Sequence, residues 1–193
     1  MLMDREILQA RFDEALPYTE FVRLGEPEGH RPPWDDRYGQ LALSEEQAHL
    51  VRSFKRKMNV LCLTGTWCGD CALQGSAMQR IAEANPACID LRFVLRSEDQ
   101  AELVTKAAIN AGYRVPVTWF MAEDFEPVAW FGDRTLSRYR AMAASQLPDY
   151  QRDLTGPPPA NPVRRVLSEV LDEFERAHLI LRLSTRLRQK HSD

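Results

Sequence analysis

Four cysteines, at positions 62, 68, 71 and 88, are the residues best suited to chemistry in this chain, and two of them stand three apart in Trp67-Cys68-Gly69-Asp70-Cys71. Residues three apart on a helix have neighbouring side chains, with Cβ atoms roughly 5–6 Å apart, and a disulfide needs about 3.8 Å. A small adjustment therefore makes or breaks a bond between them, so the spacing suits a pair that cycles between dithiol and disulfide. The placement of the pair adds to this, because it follows a predicted strand after a short turn and opens a predicted helix. At the first turn of that helix the Cys68 sulfur would face unpaired backbone N–H groups and the positive end of the helix dipole, both of which favour thiolate over thiol. Cys68 is then the expected nucleophile. Cys71, one turn further in and less exposed, is the expected resolving thiol.

A bare C-x-x-C also fits other roles. A structural zinc site would need two more Cys or His ligands at matching spacing, yet Cys62 lies in the preceding strand, Cys88 stands alone, and His30, His49, His178 and His191 are scattered. A structurally inert pair is the remaining alternative. No metal and no bound organic cofactor is implied. Cys62 reads as a small buried hydrophobe, with a secondary redox or regulatory role as the lesser reading, and Cys88 as a packed or surface thiol.

The elements that must position the pair follow in alternation. Residues 59–64 form a short apolar strand, 68–84 a helix stopped before Pro86, and 89–95 a second strand. Ser97 can cap a helix running to Ala111 with Gly112 as its stop. Residues 115–121 and 126–131 read as two strands joined by the polar turn Ala122-Glu123-Asp124, and 136–144 as a closing helix. The first two strands must be parallel because a helix connects them, and the last two antiparallel because a tight turn does. The class is α/β: three layers around a mixed central sheet, with helical extensions at both ends.

The N-terminal extension, residues 1–58, places Ile7, Leu8, Phe12, Ala15 and Leu16 at helical spacing, followed by a short helix over 18–24 closed by Gly25. Residues 26–36, with Pro27, Gly29, Pro32 and Pro33, read as a loop that holds no regular structure. Ser44-Glu45-Glu46-Gln47 has the form of a capping box, and Leu50, Val51, Phe54 and Met58 make the apolar stripe that follows. The domain proper spans 59–145. A stiff linker over 146–162, marked by Gly156-Pro157-Pro158-Pro159 and Pro162, leads to an amphipathic C-terminal helix over 163–193. That helix carries Val163, Val166, Leu167, Val170, Leu171, Phe174 and Leu181 on its apolar side. Basic residues exceed acidic ones over 164–190, seven to four, mostly after Arg182, where cations suit the helix dipole. It is expected to pack on the domain or on a second copy of the chain, the lesser alternative being a membrane-surface or partner-binding helix.

Composition narrows the class of partner. An apolar fraction of 44% and a charged fraction of 27% are ordinary for a globular protein. The net charge of −3 gives no general attraction to phosphate backbones, so nucleic acid is not an expected partner. No apolar run approaches the ~20 residues that span a bilayer, and the first residues lack the pattern of a secretion signal. The expected setting is the cytoplasm, where thiols are kept reduced and two structural bridges are not expected.

Trp67-Cys68-Gly69-Asp70-Cys71 resembles the Trp-Cys-Gly-Pro-Cys motif of thioredoxins, and Val115-Pro116-Val117-Thr118 resembles the cis-proline segment that faces it in that fold. The resemblance covers residues 59 to about 144. It implies a thiol-disulfide oxidoreductase with a cis peptide bond before Pro116 and a Val115 backbone that pairs with a bound substrate strand. A narrower likeness is to bacterial thioredoxin-like proteins with Trp-Cys-Gly-Asp-Cys, a helical N-terminal extension, an Arg-rich strand such as Arg92-Phe93-Val94-Leu95-Arg96 and a turn such as Gly132-Asp133-Arg134. The partners implied are a disulfide-containing protein or small thiol client and an upstream disulfide reductase.

Two positions depart from the thioredoxin pattern. Where thioredoxins carry a buried acid six positions before the nucleophile, this chain has Cys62, a poor substitute for a carboxylate. Asp70 replaces the proline inside the motif. It favours the helix start but brings a negative charge beside the sulfurs, and so is expected to disfavour the Cys68 thiolate. Trp67 is expected to cover one side of the pair and offer a flat apolar contact to a client. Trp34, Trp119 and Trp130 are expected to pack in the core or on the extension. The competing class is a protein-binding module that keeps the scaffold with slow or idle cysteines.

Overall fold

The computed structural model describes residues 3–150 and 160–193. Four strands, β1 (Met58–Thr64), β2 (Ile89–Leu95), β3 (Val117–Ala122) and β4 (Pro127–Gly132), form one sheet in the order β2-β1-β3-β4. β1 runs parallel to β2, from Met58 opposite Ile89 to Thr64 opposite Leu95, and antiparallel to β3, with Cys62 opposite Thr118. β3 and β4 form the antiparallel hairpin. The mixed sheet and α/β class read from the sequence are present. Every residue of β1 and β3 is buried, as expected for strands covered on both faces, whereas edge strand β4 is only partly so.

Helix α5 (Gly69–Ala84) follows β1 and carries the cysteine pair at its start. On the sheet face that it covers, Phe93 of β2 packs against Phe21 of α2 (Tyr18–Arg23) and Trp34 of α3 (Arg31–Gln40), with ring centroids 5.6 and 6.4 Å away. Phe120 of β3 meets Phe174 of α8 (Pro162–Leu183) edge-on at 5.0 Å. α3 and α8 both pack on α5, so the two extensions flank the helix that opens with Cys68. At Gly75 α3 comes close: a Cβ there would stand 2.5 Å from the Trp34 ring. α1 (Arg5–Glu14) lies along β2, with Leu16 bridging to Phe93 just beyond it. α4 (Glu45–Arg52) begins with the capping box read from the sequence, Gln47 N donating to Ser44 Oγ and Ser44 N to the Gln47 side chain.

Several expectations need correction. Residues 31–40 are helical rather than loop: Pro32 and Pro33 fall in the first turn, where backbone N–H groups have no intrahelical partner to lose, and Gly29, at φ +73°, makes the preceding turn. The helix expected over 97–111 is a 3-10 turn (Glu98–Gln100) and a short α6 (Ala101–Lys106). Asn110 and Ala111 then take left-handed φ angles of 48° and 59°, and Ile109 pairs with Gly112 in a tight bridge. α7 (Leu136–Gln146) matches expectation, but the C-terminal helix is two helices. It breaks at Ser184, whose side chain accepts from Leu187 N to start α9 (Thr185–His191). Pro162, assigned to the linker, is the first residue of α8 behind an Asn161 cap, and Gly156 to Pro159 lie outside the described residues. α8 buries its apolar stripe on the domain, whereas Leu179, Ile180 and Leu183 stay exposed. Trp34 and Trp119 are core residues, but Trp130 on β4 is 40% exposed.

Candidate active site

Cys68 is the N-cap of α5, with extended backbone at φ −94° and ψ 120°. That geometry turns its sulfur back over the first helical turn, where Sγ accepts from the Cys71 backbone N–H at 3.3 Å. Cys68 is half-buried, and Cys71 is inaccessible. The Cys68 pKa is pulled down to about 6, chiefly because the Cys71 thiol donates a hydrogen bond to it. The backbone N–H groups of Cys71 and Asp70 add to the effect, while burial and the Asp70 charge oppose it. Cys71 moves the other way: burial, then the Cys68 hydrogen bond and charge, hold it firmly as a thiol. All four cysteines are free thiols.

The two segments that carried the resemblance meet in space. Cys68 Sγ lies 3.8 Å from the carbonyl oxygen of Val115, and the Val115–Pro116 bond is cis. β4 ends against this turn, so closely that a Cβ at Gly132 would come within 2.6 Å of the Pro116 carbonyl. Glycine at 132 is what permits the approach. Trp67 is half-exposed and folds its ring over Gly65. With Tyr113, Arg96 and Val104 it lines a shallow groove.

Asp70 is where the sequence reading was incomplete. Its buried carboxylate accepts from Arg134 Nε at 2.6 Å and from Arg138 Nε at 2.8 Å, one arginine on each oxygen. Arg134 also donates to Asp133 at 2.9 Å, and the wholly buried Asp133 carboxylate takes further bonds from Arg114 and the Tyr139 hydroxyl. Gln74 of α5 closes the network by donating to the Asp133 carbonyl at 2.8 Å. The Asp70 charge is thus paired with two cations, and its opposition to the Cys68 thiolate is outweighed by the hydrogen bonds that Cys68 accepts. Arg138, Arg114 and Tyr139 were not singled out from the sequence. Arg134 lies just before Thr135, the extended cap of α7, and Arg138 lies in the helix's first turn, so their spacing alone did not place them on one face.

Beneath the pair, Cys62 is wholly buried and its pKa is pushed up to about 12 by that burial, so it stays a neutral thiol. Cys88 is partly buried and donates to the Phe54 carbonyl. Among the described residues no cluster of three or more His, Cys, Asp or Glu side chains is arranged to hold a metal ion, and no helix is long and apolar enough to cross a membrane.

Comparison with solved structures finds the same fold in a Pseudomonas aeruginosa protein of unknown function, 19% identical with a TM-score of 0.64, covering 86% of this chain and 95% of that one. A second is an HIV epitope scaffold, 17% identical with a TM-score of 0.61, covering 90% of this chain and 96% of that one. At such identities the likeness speaks for the fold alone. Among the curated proteins, none matches the sequence. The model of the thioredoxin family matches residues 17–145, a span that takes in α2, α3, the whole sheet and both segments of the site. The chain belongs to the thioredoxin family.

Proposed function

We propose that this protein is a thiol-disulfide oxidoreductase working as a dithiol reductase, with Cys68 as nucleophile and Cys71 as resolving thiol. The observation that carries this reading is the opposed state of two sulfurs one helical turn apart. Cys68 is poised as a thiolate at neutral pH and half-open to a client, and Cys71 is buried and protonated against it. The Cys68 thiolate would attack a client disulfide, displacing one client sulfur and forming a mixed disulfide. Cys71 would then attack Cys68 Sγ, releasing the second client sulfur as a thiol and leaving a Cys68–Cys71 disulfide. Two electrons have moved to the client, and an upstream disulfide reductase returns them. The Val115 backbone beside Cys68 suits pairing with an extended client segment, and Trp67 offers that client an apolar face. Because the reaction consumes reducing equivalents, the setting proposed is a reducing compartment such as the cytoplasm.

A second reading, a binding module with idle cysteines, is favoured by one observation: the buried position six residues before Cys68 holds the neutral Cys62 rather than an acid. Turnover of insulin disulfides with dithiothreitol separates the two. Wild-type turnover that disappears in Cys68→Ser supports the reductase. A folded wild type that can form the Cys68–Cys71 bond yet reduces neither insulin nor small disulfides would leave the binding module.

A further inference from the structure

The resolving step asks Cys71 to give up a proton inside the protein, and the groups acting on its sulfur are Cys68, the Gly65 backbone N–H and the side chain of Thr64. Thr64 is the last residue of β1 and is wholly buried, and its hydroxyl has no hydrogen-bond partner among the described residues. An unpaired buried hydroxyl is unfavourable, since it forgoes its bonds to water and receives none in return. Its backbone is fully engaged: the carbonyl accepts from Arg96 N at 2.8 Å, and the residue pairs with Leu95 of β2. Two positions from Cys62, the side chain shares that residue's face of the strand, beneath α5. There the hydroxyl lies near the sulfurs of Cys62 and Cys71 without bonding to either; burial keeps both as thiols, and the hydroxyl acts against that burial. The neighbouring hydroxyl on this face, Thr118 Oγ1, donates to Met78 Sδ at 3.6 Å and acts on Cys62 rather than on Cys71. The Asp70 carboxylate is taken by Arg134 and Arg138.

Resting on the dithiol reading above, we propose that the Thr64 hydroxyl is the hydrogen-bond donor that steadies the Cys71 sulfur as it loses its proton and attacks the mixed disulfide. The step balances without any further reactant. The Cys71 S–H bond breaks, the Cys71–Cys68 bond forms, the bond from Cys68 to the client breaks, and the proton ends on the departing client sulfur. Thr64 keeps its own proton throughout. It lends a hydrogen bond that strengthens as negative charge gathers on sulfur, and that is the state in which it lowers a barrier.

The test uses 5,5′-dithiobis(2-nitrobenzoate) on the reduced full chain, with Cys68→Ser as the blank for Cys88. Attack by Cys68 releases one equivalent of thionitrobenzoate and resolution by Cys71 releases a second, so the two steps are read separately. In Thr64→Val, which keeps the shape and removes the hydroxyl, the first release is expected at the wild-type rate and the second about tenfold slower, the size expected of one hydrogen bond to a charged group. The midpoint of the second phase's pH profile should move upward while that of the first stays in place. Thr64→Ser should restore both. A second phase in Thr64→Val with the wild-type rate and pH profile would overturn the proposal, as would equal slowing in Thr64→Val and Thr64→Ser, which would mark a packing effect. A wild type that releases a single equivalent would overturn the dithiol reading itself, and this inference with it.

Discussion

Trp34 donates its indole N–H to the carbonyl of Thr66 at 2.8 Å, two residues ahead of the Cys68 sulfur. The donor comes from the N-terminal extension and the acceptor from the turn that presents the cysteine pair. His30, just before α3, adds its Nδ1 to the Thr66 hydroxyl at 3.1 Å. Because Trp34 is wholly buried and edge-packed on Phe21 and Phe93, its position is set by the core, and the turn is held to that core through it.

Replacing Trp34 by Phe keeps an aromatic body but leaves the Thr66 carbonyl without its donor. Stability should fall by about 1–3 kcal/mol, the cost of orphaning a buried polar group. Urea unfolding would show this as a lower midpoint with an unchanged slope. A midpoint indistinguishable from wild type would mean that the turn does not depend on the extension.

The state of Cys68 makes a prediction specific to one sulfur. Iodoacetamide should label Cys68 with a pH midpoint of about 6, while the buried Cys62, at about 12, stays unlabelled through the neutral range. Mass spectrometry of the labelled chain identifies the site, and Cys68→Ser should remove this early labelling. A midpoint near that of an ordinary thiol would remove the argument for a poised nucleophile.

How much of this was readable in the chain differs from part to part. The β1–α5 unit and the cysteine pair were legible because each signal is local: an apolar run, a turn, then helical spacing opened by Cys68. The Ser44 capping box was legible for the same reason. α3 was not, since Pro32 and Pro33 act as breakers or as starters depending on where the helix begins, and Trp34 settles that only through its distant partners Phe93 and Thr66. The pairing of Asp70 with arginines 64 and 68 positions away has no local trace at all. The meeting of Val115 with Cys68 was available through family resemblance and not through spacing.

Asp70→Asn separates the structural and electrostatic parts of that pairing. Arg134 keeps Asp133 and the part-exposed Arg138 can turn to water, so the loss of stability should sit near the lower end of about 1–3 kcal/mol. The Asp70 charge opposes the Cys68 thiolate, whereas its backbone N–H, which survives the change, favours it. The alkylation midpoint of Cys68 should therefore move downward. An upward move would mean that the carboxylate acts chiefly by holding the helix start in place, and the electrostatic account would fail.

His178 of α8 gives the molecule a pH dependence that the redox pair does not explain. Its Nε2 accepts from Lys55 N at 3.0 Å and its ring stacks on Phe54 at a centroid distance of 4.3 Å. Burial, with Arg182 and Arg56 nearby, pushes its pKa down to about 4 from an ordinary 6.5. Protonation would both charge a buried ring and destroy the acceptor that Lys55 uses. The unfolded chain therefore takes up this proton more readily than the folded one. The contribution of His178 is fully present above about pH 6.5 and drains away as pH falls through the folded value of about 4. Glu123, Asp124, Glu169 and Asp193 are all held below their ordinary carboxylate values by cations or hydroxyl donors, so their losses begin at lower pH. That leaves the upper part of the window, from about 6.5 down to about 5, to His178 among these groups. Urea midpoints across that interval should fall steadily for the wild type and stay nearly level for His178→Gln, whose amide oxygen can still accept from Lys55. Equal slopes in the two proteins would show that α8 docks without regard to the charge on this ring.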